Sequence, residues 1–213
     1  MISIIILTYG SEDKVRENTE IFDSILYGES FELIFINDNR GKGSAIKNGL
    51  EKAQGKYIII IDGDLQINPQ DIKTMFKIME LYNADAVVGN KRHPYSIVEY
   101  TVFRQIVSNC YNLLVKLLFG FQLRDSQCGL KLFKGSVIKK VMHRVLCKQY
   151  AFDIELLVTL RDNGFRIADS PVFVKKQTGK GSVGFKSVLN TLKDTLAVWY
   201  RRRIGWYKMW CEN

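Results

Sequence analysis

The sequence predicts an α/β protein with a mostly parallel sheet that is covered by helices on both faces. Short runs rich in β-branched residues alternate, through the first half of the chain, with segments that carry apolar residues at helical spacing. One of these runs, "YIIIID", contains four isoleucines in a row, as expected of a strand buried on both faces. With 213 residues, 46% of them hydrophobic, the chain is long enough for one compact domain with a sizeable core.

Four β-rich runs lie in the first half, and we predict a strand for each. They are "ISIIIL" (2–7), "FELIFI" (31–36), "YIIIID" (57–62) and "DAVVG" (85–89). The segments between them, residues 12–26, 44–53 and 69–82, are predicted helices. In the last of these, Pro69 suits the first turn and Asn68 is a plausible cap.

The second half has a different pattern. Residues 103–121 predict a long, largely apolar helix, and "QLRDSQCGLKLF" (122–133) is interpreted as a loop. Helices are then expected from about Ser136 and over 150–164. The segment 165–174 is typical of a closing strand, in which Pro171 marks an edge or a bend.

The tail, residues 185–213, is set apart from a main domain of residues 1–184. Its apolar residues share one helical face, and Arg201, Arg202 and Arg203 follow, with Trp206 and Trp210 beyond them. An apolar face, tryptophans and a basic cluster together describe an amphipathic helix that lies in a membrane interface. The alternative is a C-terminal helix docked on the core, with its arginines in water.

Charge and cysteine content limit the classes of partner and setting. The net charge of +9 indicates an anionic partner: nucleic acid, an acidic membrane surface or a phosphorylated substrate. A nucleic-acid-binding protein is disfavoured, since no recognisable motif supports it. Four scattered cysteines favour a reduced, cytoplasmic setting, and no segment is apolar for long enough to span a membrane.

The strand "YIIIID" ends in two carboxylates, Asp62 and Asp64, with Gly63 between them. In parallel α/β sheets ligands gather beyond the carboxyl ends of strands, and side chains two apart on an extended segment point the same way. Mg²⁺ and Mn²⁺ prefer oxygen ligands and commonly keep substrate phosphates in their shell. The pair therefore suits a metal–diphosphate, whereas the competing interpretation is a polar turn after a buried strand.

Four motifs in order resemble the polyprenyl-phosphate glycosyltransferases, the dolichyl-phosphate mannose synthases and glucosyltransferases of glycosyltransferase family 2. They are "NRGKGSAIKNGLEKAQGKY", "DGDLQ", "RDSQCGLKLF" and "YAFDIELL". The resemblance runs from Ser3 to about Trp206. It implies a GT-A fold, a nucleotide-sugar donor, a divalent metal and a lipid phosphate acceptor. It also indicates that roughly one βα unit of the family pattern, before "RGKG", is missing here.

The resemblance assigns roles at the donor side. Asp64 and Gln66 would hold Mg²⁺ or Mn²⁺ together with Asp62, and Asp62 and Gly63 would face the nucleotide. Tyr9 would flank the base, although the first-strand motif matches poorly. Asp38 is either the nucleotide-reading acid or a residue at the end of a later strand.

Basic residues complete the donor side. Lys42 lies in "RGKGS", where a helix start favours anions, and the competing interpretation is a plain glycine turn. A second "GKGS" contains Lys180, which, with Lys175 and Lys176, is a candidate for the family's phosphate loop. Lys91 matches the arginine that follows the family's "VVG".

The acceptor side is assigned from the second half of the chain. Arg104 would grip the acceptor phosphate with Ser108, and Asp125 would line the same side. Asp153, in "FDIELL", would be catalytic together with Asp64 and Arg104; for Asp153 the competing interpretation is a helix cap.

The function expected is inverting transfer of a hexose, mannose or glucose, from GDP-mannose or UDP-glucose to a polyprenyl phosphate. The enzyme would act on the cytoplasmic face of a membrane, held there by the tail helix. The alternatives are a family 2 enzyme that acts on a soluble saccharide or protein, and a degenerate homologue without activity.

Overall fold

The computed structural model describes residues 1–8, 15, 19–98, 102–120, 125, 127–149, 151–175 and 185–209; of residues 102–107 and 185–188 only the backbone is described. The strands are β1 (Ile2–Leu7), β2 (Phe31–Ile36), β3 (Tyr57–Asp62), β4 (Ala86–Asn90), β5 (Ile97–Val98), β6 (Leu130–Lys134), β7 (Ile167–Pro171) and β8 (Phe173–Val174). The helices are α1 (Glu20–Ile25), α2 (Lys42–Lys52), α3 (Asp71–Leu81), α4 (Val102–Phe119), α5 (Gly135–Met142), α6 (Phe152–Asp162) and α7 (Phe185–Arg203).

Six strands form the main sheet in the order β2-β1-β3-β6-β4-β7, and β5 pairs with β8 in a second, two-stranded sheet. All pairs of the main sheet are parallel except those of β6, which runs antiparallel to both β3 and β4. The predicted α/β class with a mostly parallel sheet is confirmed. The strands β1 and β3 lie inside this sheet, and their apolar residues are buried, which explains why neither alternates with polar residues.

The strand β6 corrects the interpretation of residues 122–133 as a loop. Lys131 stands between Leu130 and Leu132 and breaks the apolar run, which hid the strand in the sequence. In the fold Lys131 is 2% exposed and its ammonium group is paired with Asp153. A buried lysine is tolerated in a central strand because its charge is neutralised there.

The boundaries of other elements differ slightly from the predicted ones. Helix α3 begins at Asp71, two residues after Pro69, and the Asn68 side chain accepts a hydrogen bond from the Gln70 N–H in the turn before it. The predicted closing strand divides at Val172 into β7 and β8, so Pro171 ends an edge strand, as expected. Most of the first predicted helix lies outside the described residues, and α1 is its end.

Helix α7 packs on α4 and α6. Thr195 and Val198 on its inner face are completely buried, and so is Tyr207 in the turn after it. Its outer face leaves Leu196 and Tyr200 exposed. The inner face thus docks on the core, as the alternative interpretation holds, and the membrane-interface interpretation stays a prediction.

In the ranges that the structure describes, no helix is both long enough and apolar enough to cross a membrane.

Candidate active site at the carboxyl edge of the sheet

One edge of the main sheet collects most of the predicted site residues. The strands β1, β2, β3 and β4 all end at this edge, because they are parallel, and β6 begins there, because it is antiparallel. Ligands of such sheets bind beyond the carboxyl ends of the strands. The edge carries Thr8 after β1, Asp38 after β2, Asp62 to Gln66 at the end of β3, Lys91 after β4, and Asp125 and Gly129 before β6.

The two acids of "DGD" do not lie on one extended segment. Strand β3 ends at Asp62, and the chain turns at once, with the Leu65 N–H donating to the Asp62 carbonyl over 3.1 Å. Asp64 lies in this turn and is exposed, whereas Asp62 is half-buried. The prediction that the two side chains point the same way because they alternate along a strand is therefore wrong. Both acids nevertheless lie at the carboxyl edge of the sheet.

Gly63 is required at this turn by the close approach of β1. A Cβ atom at this position would lie 2.7 Å from the Leu7 carbonyl oxygen, and the Gly63 N–H donates to that same oxygen over 2.9 Å. Gly63 thus fixes the turn against β1. Its proposed contact with the nucleotide stays a prediction.

The Asp62 carboxylate is held from two sides. Lys42 Nζ lies 3.6 Å from Asp62 Oδ1. On the other side, a Cβ atom on Gly129 would come within 2.1 Å of Asp62 Oδ2, so the absence of a side chain at Gly129 makes room for the carboxylate.

Asp153 is buried at the amino end of α6. Its side chain is 4% exposed, and its two oxygens meet Lys131 Nζ at 2.8 Å and Lys42 Nζ at 3.1 Å. Burial alone would raise the pKa of Asp153, but the two ammonium groups more than offset it and lower that pKa. Because both oxygens are paired inside the protein, the expected catalytic role of Asp153 is not supported by its position.

The "RGKGS" glycines pack against the segment that precedes α6. The Gly43 N–H donates to the Lys148 carbonyl over 2.9 Å, and a Cβ on Gly43 would clash with the Cys147 carbonyl oxygen. Gly41 has a φ of +125° and also lies against the Lys148 carbonyl. The Lys42 side chain is directed to Asp62 and Asp153. These contacts fit the glycine-turn interpretation better than a phosphate cradle.

Asp38 organises the loop between β2 and α2. Its oxygens accept hydrogen bonds from the backbone and side chain of Arg40 and from Ser44 and Asn48. The hydrogen bonds from Arg40 hold the pKa of Asp38 well below its usual range. Asp38 also borders an open cleft of about 480 Å³ along β2. Strand β2 pairs directly with β1, so Asp38 lies just beyond the end of the strand next to β1. Helix α2 begins four residues after Asp38, at Lys42.

Two of the predicted acceptor residues, Asp125 and Ser108, contact basic residues that follow β4. Asp125 accepts a hydrogen bond from the Lys91 N–H at 3.1 Å, and Lys91 Nζ lies 3.7 Å from the same carboxylate. Arg92 donates to the Ser108 hydroxyl over 2.7 Å. The side chain of Arg104 lies outside the described residues, so its grip on a phosphate stays a prediction.

Two predicted donor residues, Tyr9 and Lys180, also lie outside the described residues. The segment that leads to Lys180 nevertheless starts at the site, because the Lys175 N–H donates to the Gln66 carbonyl over 2.8 Å. Lys175 is exposed there. Lys175, the first of the candidate lysines after β8, therefore lies beside "DGDLQ".

The residues present are compatible with a divalent metal. Among the described residues, no three His, Cys, Asp or Glu side chains are grouped closely enough to form a metal cage. Mg²⁺, however, is typically held by one or two carboxylates and completes its shell with substrate phosphates. An exposed carboxylate at Asp64, a half-buried one at Asp62 and the Gln66 amide supply such a partial set of oxygen ligands.

Two residues that matter at this edge were not predicted from the sequence. Lys131 reaches the site from inside the sheet through Asp153, and Gly129 gives Asp62 its space. A lysine between two leucines in "GLKLF" is the signal that could have indicated a buried ion pair. No pattern in the sequence marks the contact between Gly129 and Asp62, which exists only because β6 pairs with β3.

Relatives with described activities match nearly the whole chain. It is 26% identical over 212 residues to a dolichyl-phosphate beta-glucosyltransferase of Dictyostelium discoideum, a match that covers 97% of this chain and 65% of the relative. The corresponding Drosophila melanogaster protein is 25% identical with the same coverage. Glycosyltransferase AglD of Haloferax volcanii is 25% identical over 80% of this chain and 32% of its own length. The chain thus spans at most about two thirds of these relatives.

Solved structures share the fold. Glucosyl-3-phosphoglycerate synthase from Mycobacterium tuberculosis, in complex with Mn²⁺, UDP and phosphoglyceric acid, superposes with a TM-score of 0.69 at 16% identity, covering 96% of this chain and 78% of that one. Its complex with Mn²⁺, UDP-glucose and glycerol 3-phosphate gives a TM-score of 0.66 at 15% identity, with 96% and 80% coverage. This likeness shows a GT-A fold. The family model of glycosyl transferase family 2 matches residues 2–142, and the chain belongs to that family.

Proposed function

We propose that this chain transfers a hexose from a nucleotide diphosphate sugar to a polyprenyl phosphate, with inversion at the anomeric carbon. One observation carries the proposal: in a family 2 chain, Asp62 and Asp64 lie at the carboxyl end of β3, at the edge where such sheets bind ligands.

Glucose from UDP-glucose is the donor that we favour over mannose from GDP-mannose. Two relatives that match 97% of the chain are dolichyl-phosphate beta-glucosyltransferases, and the structural relatives were solved with UDP or UDP-glucose. The same relatives support a polyprenyl phosphate as the acceptor.

In the proposed reaction an oxygen of the acceptor phosphate attacks the anomeric carbon of the sugar. The bond from that carbon to the nucleotide diphosphate breaks, and the diphosphate leaves with the bonding electrons. A divalent metal bound by Asp64 and Gln66, near Asp62, would offset the charge that develops on the diphosphate. The acceptor phosphate is an anion at neutral pH, so its attack requires no strong general base.

Contact with the membrane is part of the proposal, because the acceptor is a lipid. The outer side of α7 and the turn after it expose Leu196, Tyr200 and Ile204 at 51%, 61% and 60%. Lys193 and Arg203 are exposed on the same side. Apolar side chains flanked by basic ones suit the interface of an anionic membrane.

A family 2 enzyme with a soluble acceptor remains the alternative. Deleting residues 185–213 would not separate the two, because α7 supplies Val198 and Tyr207 to the core and the truncated protein would expose buried surface. Comparing a polyprenyl phosphate with soluble sugars as acceptors, in the full chain, distinguishes them directly.

The experiment is a donor and acceptor screen with the wild type and Asp64→Ala. We expect transfer from UDP-glucose to polyprenyl phosphate in the presence of Mg²⁺ or Mn²⁺, and a loss of about a hundredfold or more in Asp64→Ala. Because Asp64 is exposed, the free energy of unfolding should change by less than about 0.5 kcal/mol. Asp23→Ala, at an exposed carboxylate on α1, is the control. A folded wild type that binds no nucleotide sugar would favour the degenerate homologue.

A further inference from the structure

A row of four alternating charges runs from inside the sheet to the candidate active site. Lys131 Nζ lies 2.8 Å from Asp153 Oδ1, Asp153 Oδ2 lies 3.1 Å from Lys42 Nζ, and Lys42 Nζ lies 3.6 Å from Asp62 Oδ1. We call these four residues the charge row. Exposure rises along it, from 2% and 4% for the Lys131 and Asp153 side chains to 11% for Lys42 and 35% for Asp62.

The charges within the row balance. Lys131 and Lys42 each carry one positive charge, and Asp153 and Asp62 each carry one negative charge. A buried charge is costly unless it is paired. Asp62 therefore contributes, with Asp153, to neutralising Lys42, whose side chain is 11% exposed.

The row also restricts where the Asp62 carboxylate can lie. Lys42 attracts one oxygen, and the other oxygen occupies the space left by the missing side chain of Gly129. The Asp62 N–H donates to the Gly129 carbonyl over 3.2 Å, which ties the end of β3 to the start of β6. The backbone of Asp62 is thus tied to β6, and its carboxylate lies between the Lys42 ammonium group and Gly129.

We propose that Lys42 is a positioning residue that holds the Asp62 carboxylate at the donor site, and that Asp153 and Lys131 act on the site through Lys42. This inference rests on the proposed function, since it assumes that Asp62 meets a nucleotide diphosphate or its metal. It replaces the expectation that Lys42 grips a phosphate and that Asp153 acts on the acceptor. Neither Lys42 nor Asp153 need touch the substrate.

The test measures binding of UDP with Mn²⁺ by calorimetry. Lys42→Met leaves the Lys131–Asp153 pair intact and is the variant least expected to disturb folding. We expect it to weaken binding by about tenfold, comparable to loss of one hydrogen bond to a charged group. Lys42→Arg should restore binding to within about threefold, because it keeps the charge. Lys134→Met is the matched control, since it breaks a 2.8 Å pair with Asp85 at the opposite end of β6.

Two further variants test the coupling within the row. Gly129→Ala places a methyl group where Asp62 Oδ2 lies, and the displaced atom is the end of a side chain, so the fold should tolerate it. The paired replacement Lys131→Met/Asp153→Asn removes the buried pair without leaving one charge alone. Each should weaken binding about tenfold, and neither should add to the effect of Lys42→Met, because all act on one carboxylate.

The outcomes separate this inference from the proposed function. A folded wild type that binds no UDP with Mn²⁺ or Mg²⁺ would overturn both. Wild-type binding that is unchanged in Lys42→Met would overturn the inference alone. Additive losses in the combined variants would show that Asp153 does not act through Lys42, and would overturn that part of it.

Discussion

At the scale of single residues, most of the acids that the sequence made conspicuous are engaged by the protein itself. Asp38 accepts hydrogen bonds from Arg40, Ser44 and Asn48, and Asp153 lies between two lysines. Asp64 also accepts a hydrogen bond, from the Gln66 N–H over 3.2 Å, but its side chain is exposed at the turn after β3. Burial, more than motif membership, therefore distinguishes Asp38 and Asp153 from an acid that solvent reaches.

Two acids, Asp38 and Asp71, should change the acid stability of the protein in opposite directions. Arg40 lowers the pKa of Asp38, so the stability that Asp38 contributes is present above its ordinary pKa of about 3.9 and is lost as the pH falls further. Burial raises the pKa of Asp71, so its contribution is present below about 3.9 and is lost as the pH rises through the raised value.

Urea unfolding at several pH values between about 2 and 6, the range over which carboxyl groups titrate, would measure both changes in the free energy of unfolding. Asp38→Asn should flatten the loss of stability below about pH 4, and Asp71→Asn should remove the gain in stability that acidification gives as the pH falls towards about 3.9. Changes of the same sign in both variants would contradict these assignments.

At the scale of elements, helix α7 shows that three adjacent arginines can have different roles. Arg201 donates to Glu155 over 2.8 Å, and Glu155 is completely buried and also accepts from the Tyr207 hydroxyl. Arg202 pairs with Asp162 over 2.9 Å, whereas Arg203 stays exposed above the Trp199 ring. The basic cluster expected to face a membrane thus directs two of its three charges into the protein.

Removing Arg201 should therefore destabilise the protein far more than removing Arg203. Arg201→Met leaves the buried Glu155 without its cationic partner, which costs about 3 kcal/mol or more. Arg203→Met loses an exposed cation–π contact worth about 0.5–1 kcal/mol. Urea unfolding of the two variants measures the difference. Equal losses would mean that α7 is not anchored through Glu155.

At the scale of the whole molecule, one side of α7 carries the exposed apolar side chains on which the proposed membrane contact depends. Leu189, Leu196 and Tyr200 recur along this side at intervals of seven and four residues, and Ile204 follows. The net charge of +9 adds a general attraction to anionic lipid. Docking of the inner face on α4 and α6 fixes the direction in which this surface points relative to the site.

Replacing Leu196, Tyr200 and Ile204 together by Gln should weaken binding to vesicles that contain phosphatidylserine, by about tenfold or more. Stability should hardly change, because all three side chains are exposed. Cosedimentation with vesicles measures the binding. The control is Leu81→Gln/Tyr82→Gln, which removes exposed apolar side chains at the end of α3. If both variants bind vesicles like the wild type, the membrane does not contact α7.

The sequence alone determined the α/β class, five of the six main strands (all but β6) and the position of "DGDLQ" at a strand end. Apolar runs such as the four isoleucines of "YIIIID" have few alternatives to a buried strand, and family motifs in the right order identified the type of enzyme.

Only the tertiary structure decided what contacts Asp62. Strand β6 was hidden because Lys131 interrupts its apolar pattern, and the carboxylate that makes this lysine tolerable lies 22 residues further along, at Asp153. Pairing of β3 with β6 then brings Gly129 to Asp62, and packing of α2 against the segment before α6 turns Lys42 inward. Such contacts join residues far apart in the chain, and local patterns do not encode them.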